Sequence, residues 1–415
     1  MEKRLVQRKE YLSRLAVWKG KPVIKVVTGV RRCGKSTLFY LYMDALRENG
    51  VDDNNILSLN LEDMGNKALL TAEALHEAIE GRLSKKGMNY IFIDEVQQCR
   101  DFERAIDSLH LKDNVDLYIT GSNATLLSGD LATLLSGRYI EIEMLPLSFH
   151  EYLEFTSQTD AESEQQSNSA LFADYMRFGS FPFVSALQKD RAVVDEYLDG
   201  LYNAVIVKDI VTRERVRDIG ILEDVVKFLC SSIGSPISTK KVSDTLNSAG
   251  RKISVNTVEQ YIRALTDSFI FYKADRFDIK GRQHLKTQNK YYIVDSGLRN
   301  MLLATSSPDT GHMLENIVYL ELIRRGNKVN IGKVGDKEVD FVAESTTDGR
   351  GYYQVAATVL DESTLNRELE SLMKINDHFP KYLLTLDEIG KDTYHNGIKQ
   401  MNVVDWLLSR VSTNA

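Results

Sequence analysis

The chain has 415 residues, too many for one ordinary domain, and its 43% apolar and 27% charged composition is that of a globular protein with real cores. A net charge of −7 excludes a protein that coats nucleic acid indiscriminately, and no apolar run reaches the ~18 residues a membrane span needs. Three scattered cysteines, Cys33, Cys99 and Cys230, give neither a metal spacing nor a disulfide framework, so a reduced, cytoplasmic protein with no membrane partner is expected.

The opening stretch, MEKRLVQRKEYLSRL, reads as a charged helix without the short apolar core of a signal peptide. VIKVVTG, Val23 to Gly29, is a β-branched run that reads as a buried strand. STLFYLYMDAL then repeats apolar residues at helical spacing, at Leu38, Leu41, Tyr42 and Leu46. Between strand and helix, Gly29-x-x-x-x-Gly34-Lys35-Ser36 matches a phosphate-binding loop in the setting that loop requires. Gly29, Val30, Arg31, Arg32, Cys33, Gly34, Lys35, Ser36 and Thr37 are therefore expected to cradle a nucleotide. The glycines let main-chain N–H groups turn inward around phosphate oxygens, and the helix N-terminus adds its dipole. Lys35 would reach the β- and γ-phosphates and Ser36 would ligate Mg²⁺, so ATP and Mg are the expected cofactors. Cys33 reads as a small loop residue, not a redox sensor.

YIFIDEVQ, Tyr90 to Gln97, runs four apolar residues into an acidic pair. Asp94 is expected to hold Mg²⁺, and Glu95 to orient and polarise the attacking water. VDLYITGSN is a further strand whose polar tip offers Ser122 and Asn123, both candidates to touch the γ-phosphate or its water. Arg138, after the flexible pair Ser136-Gly137, is placed to reach a neighbouring subunit's γ-phosphate and stabilise transition-state charge.

The segments GVRRCGKST, YIFIDEVQ, YITGSNATLLSGDLATLLSGRYIEIEMLPLSFHEYL and YMRFGSFPFV together resemble the AAA-superfamily ATPases of bacteria and archaea. The resemblance is to the prokaryotic group that carries a C-terminal domain of uncharacterised function. It covers nearly the whole chain. It implies an AAA-type fold, ATP as ligand, and a homo-oligomer in which the arginine acts between subunits.

TSQTDAESEQQSNSA, Thr156 to Ala170, is polar and aperiodic and reads as a surface loop. Lys208, Arg213, Arg215 and Arg217 interleave with acids, the pattern of a solvated helical face. Residues 221–300 carry 13 Lys and Arg against 8 Asp and Glu, a basic island in an acidic protein. Within it, one helix turns Val242, Leu246 and Ala249 inward and ends at Gly250; a second, capped by Ser254, turns Val258, Ile262, Leu265 and Phe269 inward. FIFYKADRFD and KTQNKYYIVD read as a β-hairpin, which makes a winged helix. Its second helix would expose Asn256, Glu259, Gln260 and Arg263, with Lys240, Lys241, Arg251 and Lys252 nearby. DNA or RNA and a protein are both open as its partner.

The last hundred residues read as helix, hairpin, strand, helix, with acids on the first helix and the second strand. That order resembles the restriction-endonuclease-like fold. The resemblance maps the metal-binding positions of that fold onto Glu315, Asp340 and Gln354, and places Ala356 where active members carry lysine. An amide ligates metal weakly and alanine cannot stabilise charge, so a degenerate, inactive site is expected unless a lysine such as Lys374 comes from elsewhere.

The expected architecture is α/β: an AAA-type P-loop parallel-sheet domain at 1–160, a helical linker or lid at 161–219, a winged helix at 220–300, and a nuclease-like domain at 301–415. The expected function is hydrolysis of ATP to ADP and phosphate, coupled to conformational change on a nucleic-acid or protein partner. One alternative is a slow nucleotide switch whose C-terminal half docks a protein. A further one is a metal-dependent nuclease.

Overall fold

A computed structural model of the chain describes residues 6–127, 137–159, 166–187, 189–211, 213, 216, 218–304, 309–346 and 349–409. It divides into two units, Met1–Pro146 with Asp267–Phe269, and Leu147–Thr266 with Ile270–Ala415.

The first unit is built on five parallel strands: β1 (Ile24–Thr28), β2 (Ile56–Asn60), β3 (Asn89–Asp94), β4 (Val115–Gly121) and β5 (Tyr139–Glu143), in the order β2-β3-β4-β1-β5. Every residue of β1 and β3 is buried, as expected where helices cover both faces of a parallel sheet. On one face Ile24, Val26, Ile91, Ile93, Leu117 and Ile119 meet Leu75, Ile79, Ile106 and Leu109. On the other, Phe92 and Tyr118 stack 4.7 Å apart, and Phe39 and Tyr42 of the helix Lys35–Glu48 close over them at 5.2 and 5.4 Å. That helix buries Leu38, Phe39, Tyr42, Met43 and Leu46, while the expected Leu41 is only half-buried. Its inward face is rotated toward Phe39 and Met43 because the aromatic side of the sheet selects it. Lys25, the second residue of β1, is fully buried. It pairs with Asp116 and donates to the Lys21 carbonyl at 3.0 Å, so the charge does not lie unpaired in the core.

The second unit begins with helices. Phe149–Thr159 runs on through the first residues of the stretch expected to be a loop, residues 160–165 lie outside the described residues, and Ser167 caps the next helix, Asn168–Phe178. Arg215, Arg217 and the side chain of Lys208 also lie outside the described residues. The segment Gly179-Ser180 is locked onto Asp295: the Ser180 N–H and hydroxyl donate to Asp295 Oδ2 at 2.6 and 2.9 Å, and Asp295 Oδ1 accepts from Leu298 N at 2.8 Å. A side chain at Gly297 would collide with the Phe178 carbonyl, since its Cβ would stand 2.0 Å from that oxygen.

The helices Thr239–Ser248 and Val255–Asp267 lie where the sequence puts them, and Ser254 accepts from Thr257 N at 3.1 Å. The first buries Val242, Ser243 and Leu246. Ala249 is exposed, because the helix ends one residue before it. Strands β6 (Phe271–Asp278) and β7 (Gln283–Ile293) form the hairpin. Its free edge is taken: β6 runs parallel to β8 (Lys328–Val334), so the hairpin extends a larger sheet. That sheet contains β9 (Lys337–Ser345), β10 (Gly349–Val355), β11 (Lys381–Thr385), β12 (Tyr394–His395) and β13 (Ile398–Asn402), in the order β12-β13-β11-β10-β9-β8-β6-β7. Adjacent residues of β9 face opposite ways. Phe341 meets Tyr319 of the helix Thr310–Arg324 at 5.9 Å, while Val342 shares a core with Leu369 and Leu372 of the helix Glu362–Met373. The two helices thus cover the two faces. Among the described residues no helix is long and apolar enough to cross a membrane.

Candidate nucleotide site and a second charged cluster

The parallel sheet delivers the polar residues of β1, β3 and β4 to its C-terminal edge. β1 ends at Thr28 and enters the loop Gly29–Gly34, whose conformation only glycine tolerates at two places. Gly29 has φ +142° with a Met144 carbonyl 2.2 Å from where a Cβ would be, and Gly34 has φ +110°. Lys35 opens the following helix, and its side chain folds back over the loop, donating to the carbonyls of Gly29 at 2.8 Å and Val30 at 3.2 Å. It also donates to Ser122 Oγ at 3.2 Å and lies 3.8 Å from Glu95. Val30 and Cys33 are buried. Arg31 bonds Glu62 at 3.0 Å, and Arg32 (φ +65°), Ser36 and Thr37 are exposed.

β3 and β4 lie in register through Ile93 and Ile119, which brings Asp94 beside Thr120. The Thr120 hydroxyl donates to Asp94 and accepts from Glu95 N at 2.9 Å. Burial raises the Asp94 carboxyl above its ordinary range, and the Ser36 and Thr120 hydroxyls offset part of that. Glu95 departs from the strand with φ +54°, an uncommon conformation for a residue with a side chain. Its carboxylate accepts from Ser122 Oγ at 2.6 and 2.8 Å and from Gln97 Nε2 at 2.5 Å. Burial pushes Glu95 up, but the Lys35 charge and the Ser122 and Gln97 bonds outweigh it and hold the carboxyl below its usual value. Asn123 is buried and its carbonyl accepts from Leu126 N, whereas Ser122 is hydrogen-bonded to both Lys35 and Glu95. Thr120 and Gln97 escaped the sequence reading; a lone threonine in an otherwise apolar strand end was the available signal.

Arg138 stands apart from these residues. It precedes β5 at the end of the sheet where β1 starts, its carbonyl accepting from Ile24 N, and its guanidinium pairs with Asp107 at 2.8 Å on the surface.

The second unit brings together Glu315, Asp340 and Gln354 around a residue the sequence reading passed over. Lys290 of β7 is 2% exposed, and its ammonium lies 2.9 Å from Glu315, 2.7 Å from Glu338 and 3.9 Å from Asp340. Tyr292 donates to the same Glu315 oxygen at 2.7 Å. Burial alone would lower the lysine, but the Glu315, Asp340 and Glu338 carboxylates hold it above its ordinary value. Burial and then the Glu315 charge push the Asp340 carboxyl well above its own. Asp340 Oδ2 accepts from Val355 N at 2.8 Å. The Gln354 amide oxygen accepts from Ser371 Oγ at 3.2 Å and from Asp340 N at 3.4 Å, and its amide nitrogen donates to Glu368 at 2.9 Å. A cleft of about 430 Å³ opens beside them, lined also by His312, Ala356 and Arg367. Lys374 is elsewhere, paired with Asp336 at 3.2 Å and Glu370 at 3.0 Å. Among the described residues no three His, Cys, Asp or Glu side chains are arranged to hold a metal ion.

Residues 21–153 match the model of the AAA domain, and residues 169–309 match that of a domain of unknown function, DUF8612. The latter stretch contains both Ser180 and Asp295. The chain is 38% identical over 409 residues to an uncharacterised protein of Haemophilus influenzae, covering 98% of this chain and 100% of that one. It is 29% identical over 362 residues to an uncharacterised protein of Methanocaldococcus jannaschii, covering 85% of this chain and 78% of the relative. In fold it is similar to a Walker-type ATPase of Pyrococcus abyssi, with a TM-score of 0.50 at 15% identity over 72% of this chain and 96% of that one. The loop, the acidic pair and the parallel sheet agree with these likenesses, and the chain belongs to the same family as the Haemophilus influenzae protein, with a P-loop ATPase domain of AAA type in its N-terminal part.

Proposed function

We propose that the protein hydrolyses ATP to ADP and phosphate and uses the turnover to change its hold on a partner. The observation that carries this reading is the hydrogen-bonded chain from Lys35 through Ser122 to Glu95, which ties the phosphate-loop lysine to the acid expected to activate water. Ser36 and Asp94 fit a magnesium ion, being a hydroxyl at the start of the helix after the loop and a carboxylate at the end of β3 whose electrostatics the hydroxyl influences. When bound, the ion would neutralise charge on the β- and γ-phosphates. Lys35 would leave the Gly29 and Val30 carbonyls for the phosphate, a donor exchanging neutral acceptors for a charged one. Drawn along with it, Ser122 would release Glu95. Glu95, kept ionised by its surroundings, would take a proton from the water that attacks the γ-phosphorus. Arg138, held away from its own subunit's loop, would act on a neighbour in a homo-oligomer.

For the partner, the exposed face Asn256, Glu259, Gln260 and Arg263, with Lys240, Lys241 and Lys252 exposed nearby, suits nucleic acid or a protein. Arg251 and Arg263 already have acidic neighbours, Asp224 at 2.7 Å and Glu259 at 3.8 Å. ATP turnover measured with and without single- and double-stranded DNA at two salt concentrations tests this. Stimulation that fades with salt supports a nucleic-acid partner. Unstimulated slow turnover with nucleotide-dependent oligomers supports the switch that docks a protein.

In the C-terminal cluster Lys290 supplies a permanent cation among the acids, and the Gln354 oxygen is already occupied by two donors. We read the cluster as partly neutralised by Lys290, which occupies the acids in place of a metal ion, and the nuclease-like shape as a platform without hydrolytic chemistry.

A further inference from the structure

Arg8 is 4% exposed, yet it carries a guanidinium. Burying such a charge costs several kcal/mol unless its donors are used. They are used on main-chain carbonyls: Nη1 donates to Cys33 at 3.2 Å, and Nη2 to Leu145 at 3.0 Å and Pro146 at 3.5 Å. Cys33 is the residue before the second glycine of the phosphate loop. Leu145 and Pro146 are the last residues before the chain leaves the ATPase unit. The loop and this exit segment are fitted to each other elsewhere too. Met144 N donates to Thr28 O at 2.8 Å, and the Met144 carbonyl fills the space beside Gly29. Arg8 is itself fixed at the start of the helix Lys9–Val17. Tyr11 of that helix lies under the guanidinium at 4.8 Å, and its hydroxyl accepts from Leu145 N at 3.2 Å.

We propose that Arg8 is a positioning residue of the nucleotide site: it fastens the main chain of the phosphate loop at Cys33 to the exit segment Leu145–Pro146, setting the loop in the shape that receives phosphate. This rests on the ATPase reading above. Arg8 needs no contact with the nucleotide. Its effect passes through the loop's main chain, whose N–H groups cannot converge on phosphate if the Cys33 peptide is free to rotate. Nucleotide binding and the exit segment are thereby linked, with Arg8 joining them at Cys33. Movement of Leu145–Pro146 then alters the loop, and a filled loop resists that movement.

The test uses full-length wild type, Arg8→Met, Arg8→Lys and Tyr11→Phe, with a fluorescent ATP analogue and magnesium, steady-state turnover, and thermal unfolding without nucleotide. Arg8→Met is expected to raise Kd for the analogue and KM for ATP about tenfold or more, the range for losing hydrogen bonds from a charged group, with kcat little changed. Arg8→Lys keeps the charge but cannot span the carbonyls, and is expected to stay impaired. Tyr11→Phe loosens the same segment and is expected to weaken binding a few-fold. Wild-type Kd and KM in a folded Arg8→Met overturn the proposal, and so does full rescue by lysine, which would leave charge alone as the cause. If Arg8→Met does not fold, the other two variants decide: weaker binding at unchanged nucleotide-free stability supports the clamp, and wild-type binding in both overturns it. Wild-type protein that fails to bind the analogue at all sinks the ATPase reading itself, a result separable from any difference between variants.

Discussion

The ammonium of Lys290 on β7 and the carboxylate of Glu315 on the helix Thr310–Arg324 lie 2.9 Å apart, both buried. Removing one partner of such a pair leaves the other charge uncompensated. Lys290→Met should therefore destabilise the protein by about 3–5 kcal/mol, read as a lowered denaturation midpoint. The double variant Lys290→Met/Glu315→Gln should recover part of that loss. A double variant whose loss equals the sum of the Lys290→Met and Glu315→Gln losses would show that the pair is not coupled. Purified wild type should not nick plasmid DNA with Mg²⁺ or Mn²⁺. Nicking that disappears in Asp340→Ala would return the pocket to nuclease chemistry.

Lys35→Ala should abolish binding of a fluorescent ATP analogue and leave the circular dichroism spectrum unchanged. The buried ammonium bonds two loop carbonyls and Ser122 and lies 3.8 Å from Glu95, contacts confined to the loop and the strand tips, so the secondary structure does not depend on it. Unchanged affinity would remove the phosphate role from this loop.

Glu95→Gln should bind ATP with near-native affinity and hydrolyse it about 10²-fold or more slowly, the loss expected when a general base is removed. Glutamine keeps the acceptor for Ser122 but cannot take a proton. Native turnover in this variant would transfer the water-activating role to another group.

Asp94→Asn separates stability from function. Because burial raises the folded Asp94 carboxyl, folding favours its protonated form. The stability this contributes is present below its unfolded pKa and is lost as pH rises through the folded one. Wherever the carboxyl is ionised it is thus a liability in the nucleotide-free protein. Asparagine should hold or slightly raise the nucleotide-free melting temperature, lessen its fall with rising pH, and abolish magnesium-dependent turnover. A lower melting temperature with turnover intact would contradict both halves.

Arg138→Ala mixed in excess with Glu95→Gln should recover turnover at mixed interfaces, one subunit offering an intact pocket and the other an intact arginine. The Asp107 pair is surface-exposed and weak enough to exchange for a neighbour's phosphate. No recovery despite demonstrated subunit exchange would count against an action between subunits.

The sequence by itself determined the elements whose chemistry is contiguous. A strand-loop-helix is one short peptide and Asp94-Glu95 closes an apolar run, so local pattern was enough to place Gly29 to Gly34 between β1 and the helix Lys35–Glu48 and the acidic pair at the end of β3. Amphipathic spacing likewise gave the helices around Val242 and Val258. Tertiary structure decided what depends on strands that are distant in sequence. Thr120 meets Asp94 from 26 residues away because β3 and β4 are in register, and Lys290 meets Glu315 from 25 residues away across a sheet and a helix. The sequence showed that the lysine expected at Ala356 was missing. It could not show that a lysine from the hairpin enters the same cluster, because β6 pairs with β8 across some fifty residues of sequence, a distance that local pattern does not span. Arg8 carried no signal for this contact: the partners at Cys33, Leu145 and Pro146 are carbonyl oxygens, which every residue possesses, so only their positions in space single them out.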